Sequence, residues 1–577
     1  MTAYDLPRNP QSSTSVRPDS DSEDARPAGT NRRTVLKAGA VAAATGSAFA
    51  LGAGGIGPFA PAEALAQDAV FRHGVASGDP LSDRVILWTR VTPSPEATPG
   101  SGAGPEATVQ WEMARDAGFG AIERAGSAVT NGDKDHTVNV DAGGLAPDTW
   151  YYYRFHCNGQ TSPVGRTRTA PAPGANPGRA RFGVVSCSNW EAGFFSGYRH
   201  LADRGDIDAV LELGDYIYEY GNGEYAGPNG IVRPHDPAWD IVSLSDYRRR
   251  HAQYRTDPDL QRLHAHVPWI CTWDDHEIAN DAWERGAENH EPGQGSYDDR
   301  KRNGAQAYFE WLPIRPQSLR DGGQLYRRFG WGTLAELSML DLRSYRSEQP
   351  KFYEGRAIDD PGRTMTGAAQ FDWLTGGLTS SRARWNLVGN SVMITPVLLP
   401  PLDPRVTKAL TDLTGLPEEG VPYNADQWDG YAAERRRLFD TIADAGIDNC
   451  VFLTGDIHTS WACDLPRRAA APAEGLVGAE FVVPSITSNN IDDMIGLPEG
   501  NPLSDAAETA LPAANHHIRW VDLDRHGYGV FELTEGFAHM DYFAVFSRED
   551  AGTGTYRMGG WRKPHGSGPI QPAGPLP

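Results

Sequence analysis

Cys187, Asp215, Tyr218, Asp275, Asp456 and His458 together offer a thiol, three carboxylates, a phenol and an imidazole, and each closely follows a short apolar run. Phe182-Gly-Val-Val-Ser186 ends at Cys187, and Ala209-Val-Leu-Glu-Leu213 ends at Gly214-Asp215-Tyr216-Ile217-Tyr218. Val267-Pro-Trp-Ile-Cys-Thr-Trp273 ends at Asp274-Asp275-His276-Glu277, and Leu337-Ser-Met-Leu340 ends at Asp341-Leu342-Arg343. Trp385-Asn-Leu-Val388 ends at Gly389-Asn390, and Cys450-Val-Phe-Leu-Thr454 ends at Gly455-Asp456-Ile457-His458. Taken singly, an Asp after a strand is a turn former or helix cap and a Cys within a strand is a small core hydrophobe. Tyr218 alone would be a core aromatic. Taken jointly they point to a metal centre, because a buried cluster of carboxylates without a cation is strongly destabilised. The carboxylates are hard donors suited to Ca²⁺, Mg²⁺ or Mn²⁺. A phenol with an ordinary pKa near 10 stays ionised at neutral pH only beside a strongly polarising ion, which favours a trivalent metal such as iron. Zinc alone would call for several His or paired Cys, and only His276 and His458 stand at strand ends.

The elements that must position these groups follow from the pattern after Arg179. Apolar runs of four to seven residues alternate with helical patterns such as 191–203, 247–266 and 431–445, the signature of an α/β domain. In such sheets ligands gather beyond the carboxyl ends of the strands, so that edge is the expected site. Residues 67–170 read differently. Arg84–Arg90, Thr108–Met113, His136–Asp141 and Thr149–Phe155 are short β-branched or aromatic runs separated by turn residues, as in a small antiparallel sandwich. The stretch Leu145-Ala-Pro-Asp-Thr-Trp-Tyr-Tyr-Tyr153 resembles fibronectin-III-like domains. Residues 171–178 form a Pro/Gly-rich linker, 179–550 the catalytic domain, and 551–577 a Gly/Pro-rich tail; 221–245 and 286–298 read as long surface loops.

Residues 1–66 read as an export leader. Arg32-Arg33 precede a weakly apolar Ala/Gly run, and Ala64-Leu65-Ala66 supplies a cleavage site before Gln67. The twin-arginine machinery is thus an expected partner and the protein is expected outside the cytoplasm, with no membrane span in the mature chain. The chain of 577 residues carries 53 Lys+Arg against 75 Asp+Glu, and a net charge of −22 without a basic stripe excludes a general nucleic-acid binder. Five cysteines leave at least one thiol unpaired, and Cys187 is the one expected to be free.

Gly214-Asp215-Tyr216-Ile217-Tyr218, Trp273-Asp274-Asp275-His276-Glu277 and Gly455-Asp456-Ile457-His458 resemble the metallophosphoesterase (calcineurin-like) superfamily. The similarity is to its PhoD-type branch of secreted alkaline phosphatases and phosphodiesterases, with Ser186-Cys187-Ser188-Asn189 and the N-terminal sandwich agreeing. The resemblance implies an N-terminal β-sandwich followed by a four-layer α/β/β/α domain that hydrolyses phosphate mono- and diesters by metal-activated hydroxide attack. It implies Cys187, Asp215, Tyr218 and His458 around Fe³⁺, with Asp215 bridging to a second ion held by Asp275 and Asp456. Asn390 would be a further ligand of that second ion, and Asp274 either a ligand or an orienter of Asp275. The chain departs from the wider superfamily: Cys187 replaces the usual Asp-x-His, Asp275 the Asn of Gly-Asn-His, and Asp456 the first His of Gly-His-x-His. This shift from imidazole to carboxylate favours Ca²⁺ at the second position, with Mn²⁺ or Zn²⁺ as alternatives.

His276 is the expected catalytic partner of Asp215, either binding a phosphoryl oxygen or assisting the leaving group. Arg327, Arg328 and Asn303 are candidate phosphate contacts. The substrates implied are phosphate-ester small molecules or cell-envelope diesters, including phospholipase D-like or teichoic-acid-type diesters. A non-catalytic secreted binding protein is the competing class, against which a bridging Asp215 argues, since structural metal sites are closed and mononuclear. A serine hydrolase lacks its Gly-x-Ser-x-Gly motif.

Overall fold

The computed structural model describes residues 70–315, 324–351, 355–399, 421–422 and 424–577, so the leader with its arginine pair lies outside the described residues. The core is built on two large sheets. One has ten strands in the order 571–572, 555–564, 537–545, 527–534, 179–185, 209–212, 269–271, 75–78, 84–90, 137–143. The other has seven, in the order 327–331, 335–339, 385–390, 450–454, 476–482, 460–466, 518–522. Arg179–Val185, Ala209–Glu212 and Trp269–Cys271 run parallel, as do Ala335–Met339, Trp385–Asn390, Cys450–Thr454 and Leu476–Val482.

Strand periodicity sorts the side chains between layers. Phe182, Val184, Leu211 and Leu213 of the first sheet pack on Leu337, Met339, Leu387, Val451 and Leu453 of the second. The alternate positions Val185, Val210, Trp269 and Cys271 turn the other way, onto Leu201, Tyr247, Leu260 and Tyr308 of helices Ser196–Arg204, Leu244–Tyr254, Pro258–His266 and Tyr297–Trp311. On the far side of the second sheet, Val388, Cys450 and Phe452 meet Leu374, Leu438 and Ile442 of helices Ala368–Ser380 and Ala432–Asp444. The result is the α/β/β/α arrangement. Burial on both faces explains why these strands read as continuous apolar runs.

The sandwich forms around Val85, Leu87, Val109, Met113, Val138, Tyr151, Tyr153 and Phe155. One of its layers continues directly into the ten-stranded sheet, where Gly78 pairs with Trp269. A Cβ at Gly78 would lie 2.3 Å from the Pro313 carbonyl oxygen, so only glycine permits this junction. The expected Gly/Pro-rich tail is also part of this sheet. Thr555–Pro564 pairs with Phe537–Val545 and receives Gln571–Pro572, and its glycines lie within a strand that packs Trp561 on the core. Among the described residues no helix is long and apolar enough to cross a membrane.

Candidate metal centre

Four of the candidate donor residues are left-handed: Cys187 (φ 61°), Asp215 (57°), Asp456 (65°) and His458 (57°). Each such backbone costs on the order of 1–3 kcal/mol and persists only where the surroundings enforce it. Enforcement is visible between neighbouring strands: the Cys187 amide donates to the Gly214 carbonyl at 3.1 Å and the Ser188 amide to the Asp215 carbonyl at 3.0 Å. Gly214 admits no side chain, since a Cβ there would lie 2.5 Å from Asp274 Cβ. The sharp turn after each strand aims its polar side chain over the sheet edge.

Donor atoms of Cys187, Asp215 and His458 lie within 4.8 Å of one another. Tyr218 joins them, its Oη 2.9 Å from Asp215 Oδ2 and 3.2 Å from His458 Nε2. His458 Nδ1 donates to the Asn489 carbonyl at 2.6 Å, a tautomer that leaves the Nε2 lone pair facing the cluster. Burial, then the neighbouring Asp215 charge, pushes both the Cys187 thiol and the Tyr218 phenol well above their ordinary pKa values. Only a cation at this point makes their charged forms favourable.

A second group shares Asp215: donor atoms of Asp215, Asp274, Asp275 and Asp456 also lie within 4.8 Å of one another. Burial and the facing carboxylates hold Asp215 and Asp456 well above the usual carboxylate range. Asp215 Oδ1 and Asp275 Oδ1 are buried and accept no hydrogen bond. Unpaired oxygens on two carboxylates that share one cluster of donor atoms suit an ion between them. The donor set therefore fits two cations, one toward Cys187, Tyr218 and His458 and one toward the aspartates.

Asp274 answers to a guanidinium. Arg343 Nε and Nη2 donate to its two oxygens at 2.7 Å each, while Nη1 reaches Asp426 at 2.9 Å and Nη2 reaches Asp456 at 3.2 Å. Burial pushes Asp274 up, but Arg343 outweighs it and holds the carboxyl below its ordinary pKa. Asp274 is thus placed as the partner of Arg343 beside Asp275. His276 Nδ1 donates to Glu219 Oε2 at 2.7 Å, and its ring lies 4.2 Å from that of Tyr218. Burial lowers the His276 pKa, but Glu219, Asp275 and Asp215 together raise it well above the ordinary value.

The structure does not bring every sequence candidate to this edge. The Asn390 carboxamide is spent on the fold, donating to the Val392 carbonyl and Thr454 Oγ1 and accepting from Trp428 Nε1 at 3.1 Å. Arg327 forms a buried ion pair with Asp79 instead of a phosphate contact. Arg328 donates to Ser338 Oγ and the Trp373 carbonyl, and Asn303 to the Val242 carbonyl at 3.1 Å. Arg343, Asp426 and Glu219 were missed. Arg343 carried a signal, lying just beyond a strand with Asp341, and Glu219 follows Tyr218 directly; Asp426 had none. All five cysteines are free and buried.

The sequence pattern of the PhoD-like phosphatase family matches residues 182–542, and that of the PhoD-like phosphatase N-terminal domain matches 58–171. Alkaline phosphatase D of Bacillus subtilis (strain 168) is 40% identical over 480 residues, which cover 82% of this chain and 77% of the relative. A solved structure of PhoD shares 35% identity at a TM-score of 0.78, covering 89% of this chain and 94% of its own.

Proposed function

The chain belongs to the PhoD-like phosphatase family and is a phosphoric ester hydrolase, and from that premise we propose that it is a secreted alkaline phosphatase and phosphodiesterase with an iron–calcium centre. The observation that carries the reading is Asp215, common to both donor groups and bearing an orphaned buried oxygen. Cys187, Tyr218 and His458 would hold Fe³⁺ with Asp215, the thiolate and phenolate suiting a trivalent ion. Asp275 and Asp456 would hold Ca²⁺ with Asp215, all three being hard oxygen donors. When bound, such a pair supplies Lewis-acid polarisation of the phosphoryl oxygens and acidifies water.

The chain's own residues do the rest. Glu219 accepts the hydrogen bond from His276 Nδ1 and, with Asp275 and Asp215, favours the imidazolium form, whose Nε2–H can donate to a phosphoryl or leaving-group oxygen. Arg343 holds Asp274 and Asp456 apart at fixed distances, so the carboxylates meet a cation without reorganisation. The substrate's negative charge is met by cations, which reconciles an anionic substrate with a net charge of −22. Export by the twin-arginine machinery, with Arg32-Arg33 as its signal, completes the reading and accords with inserting metals before translocation.

The test is hydrolysis of a chromogenic phosphate monoester and diester at alkaline pH with calcium, by the mature protein and by Asp215→Asn. Turnover of both esters that vanishes in the folded variant is expected. Near-normal turnover by Asp215→Asn would overturn the shared-ligand reading, and the ratio of the two rates ranks the substrate classes.

A further inference from the structure

Three of the donor residues are braced by one short segment, residues 485–490, which follows the strand Leu476–Val482. The amides of Thr487 and Ser488 both point at the Cys187 carbonyl, at 3.3 Å each. The Asn489 carbonyl receives His458 Nδ1. Ser488 Oγ lies 2.5 Å from Tyr218 Oη and 3.0 Å from the Cys187 carbonyl oxygen. The segment is itself pinned. Thr487 Oγ1 donates to the Asn189 carbonyl at 2.7 Å, and Arg548 donates to the Thr487 carbonyl at 2.6 Å and to Asn489 Oδ1 at 2.9 Å.

The Ser488 hydroxyl has a single proton for two acceptors. The Cys187 carbonyl already faces two amides. As a ligand, Tyr218 is a phenolate and can only accept, and Ser488 Oγ lies nearer to it than to the Cys187 carbonyl oxygen, at 2.5 against 3.0 Å. We infer that Ser488 is a positioning residue for Tyr218: its proton rests on the phenolate oxygen, fixes the aim of the ring and withdraws electron density from the donor. This rests on the ferric reading above and deepens it. Removing the hydrogen bond raises the filled donor orbital of the phenolate, so the phenolate-to-iron transition moves to lower energy. The withdrawn density alone would weaken the bond to the metal, so the gain in metal retention comes from the fixed aim of the ring, and partners that orient a metal ligand are commonly worth about 10–100-fold in affinity.

The experiment uses mature holoenzyme and its Ser488→Ala, Ser488→Cys and Ser488→Thr variants, each checked for iron content and circular dichroism. The readouts are the visible absorption maximum and the rate of iron loss to a chelator. Ser488→Ala should absorb at longer wavelength than wild type and lose iron about tenfold faster. Ser488→Cys, nearly the same shape but a weak donor, should fall between, and Ser488→Thr should return toward wild type. Iron-loaded Ser488→Ala or Ser488→Cys with wild-type spectrum and iron loss would overturn the inference alone. A wild-type protein that binds metal yet lacks the visible band would overturn the ferric reading and this inference with it.

Discussion

Replacing Arg327 by alanine separates a scaffold role from a substrate role. Arg327 donates from Nη2 to Asp79 Oδ1 at 2.7 Å, from Nε to Asp79 Oδ2 at 3.0 Å, and from Nη2 to the Cys271 carbonyl at 2.9 Å. The Asp79 side chain is 1% exposed, and its other donor is the Arg315 amide, at 2.9 Å from Oδ2. Asp79 follows the strand Val75–Gly78, Cys271 ends Trp269–Cys271, and Arg327 opens the edge strand of the second sheet. The guanidinium thus joins both sheets and the sandwich. Its removal leaves a buried carboxylate with one neutral donor, which costs about 3–5 kcal/mol. That corresponds to roughly a hundredfold or more in the folding equilibrium. Neutralising the stranded charge in Asp79→Asn/Arg327→Ala should recover about 1–3 kcal/mol. Urea unfolding followed by tryptophan fluorescence at fixed calcium reads the stability, and initial rates on a chromogenic monoester read the site. The unfolding midpoint should fall sharply while kcat and KM of the folded fraction stay within about twofold of wild type. An unmoved midpoint with KM raised about tenfold would refute the scaffold assignment and return Arg327 to the substrate.

Tyr218→Phe should leave a folded protein without visible phenolate-to-iron absorption; an unchanged spectrum would reassign that ligand. Removing metals with a chelator leaves Asp215, Asp275 and Asp456 repelling one another in a buried space, so the melting temperature should fall and recover on adding iron and calcium. A melting temperature indifferent to chelation would contradict the donor assignment. Glu508, beside Asp522 and Asp524, is pushed up to about 7, chiefly by burial. A carboxyl raised above its ordinary value stabilises the fold less as pH climbs from the unfolded value, near 4.3, to the folded one. Glu508→Gln, which imitates the protonated form, should therefore raise the melting temperature at pH 8 and leave it unchanged at pH 4. Equal effects at both pH values would exclude that titration.

How much of this was legible before the structure depends on what a residue's neighbours along the chain can reveal. Apolar runs locate strand ends, and strand ends locate the site edge, which is why Cys187, Asp215, Asp275, Asp456 and His458 could be singled out together. Period and run length do not give the direction of a side chain beyond the last strand residue. Asn390 illustrates this: it ends its strand like the others, yet turns inward to Trp428 and Thr454. The charge of Arg327 and the polarity of Asn303 suit a phosphate contact, but the fold gives them protein partners, Asp79 and the Val242 carbonyl. Arg343 was visible as a strand-end cation without a role, because its four carboxylate neighbours come from three distant segments. The sheet shared by sandwich and catalytic layers depends on pairing Gly78 with Trp269, nearly two hundred residues apart, and no local pattern encodes it. The strand at Thr555–Pro564 was obscured by glycines that lower β-propensity yet sit on an antiparallel partner supplying the hydrogen bonds.

In the proposed centre one aspartate, Asp215, joins two unlike cations at this sheet edge. Anomalous diffraction from crystals of the holoenzyme, recorded at the iron absorption edge, addresses it most directly. One iron peak is expected, bounded by Cys187 Sγ, Tyr218 Oη, His458 Nε2 and Asp215, with a lighter ion between Asp215, Asp275 and Asp456. Iron absent from that position, or a single ion with Asp215 bound to nothing else, would contradict it.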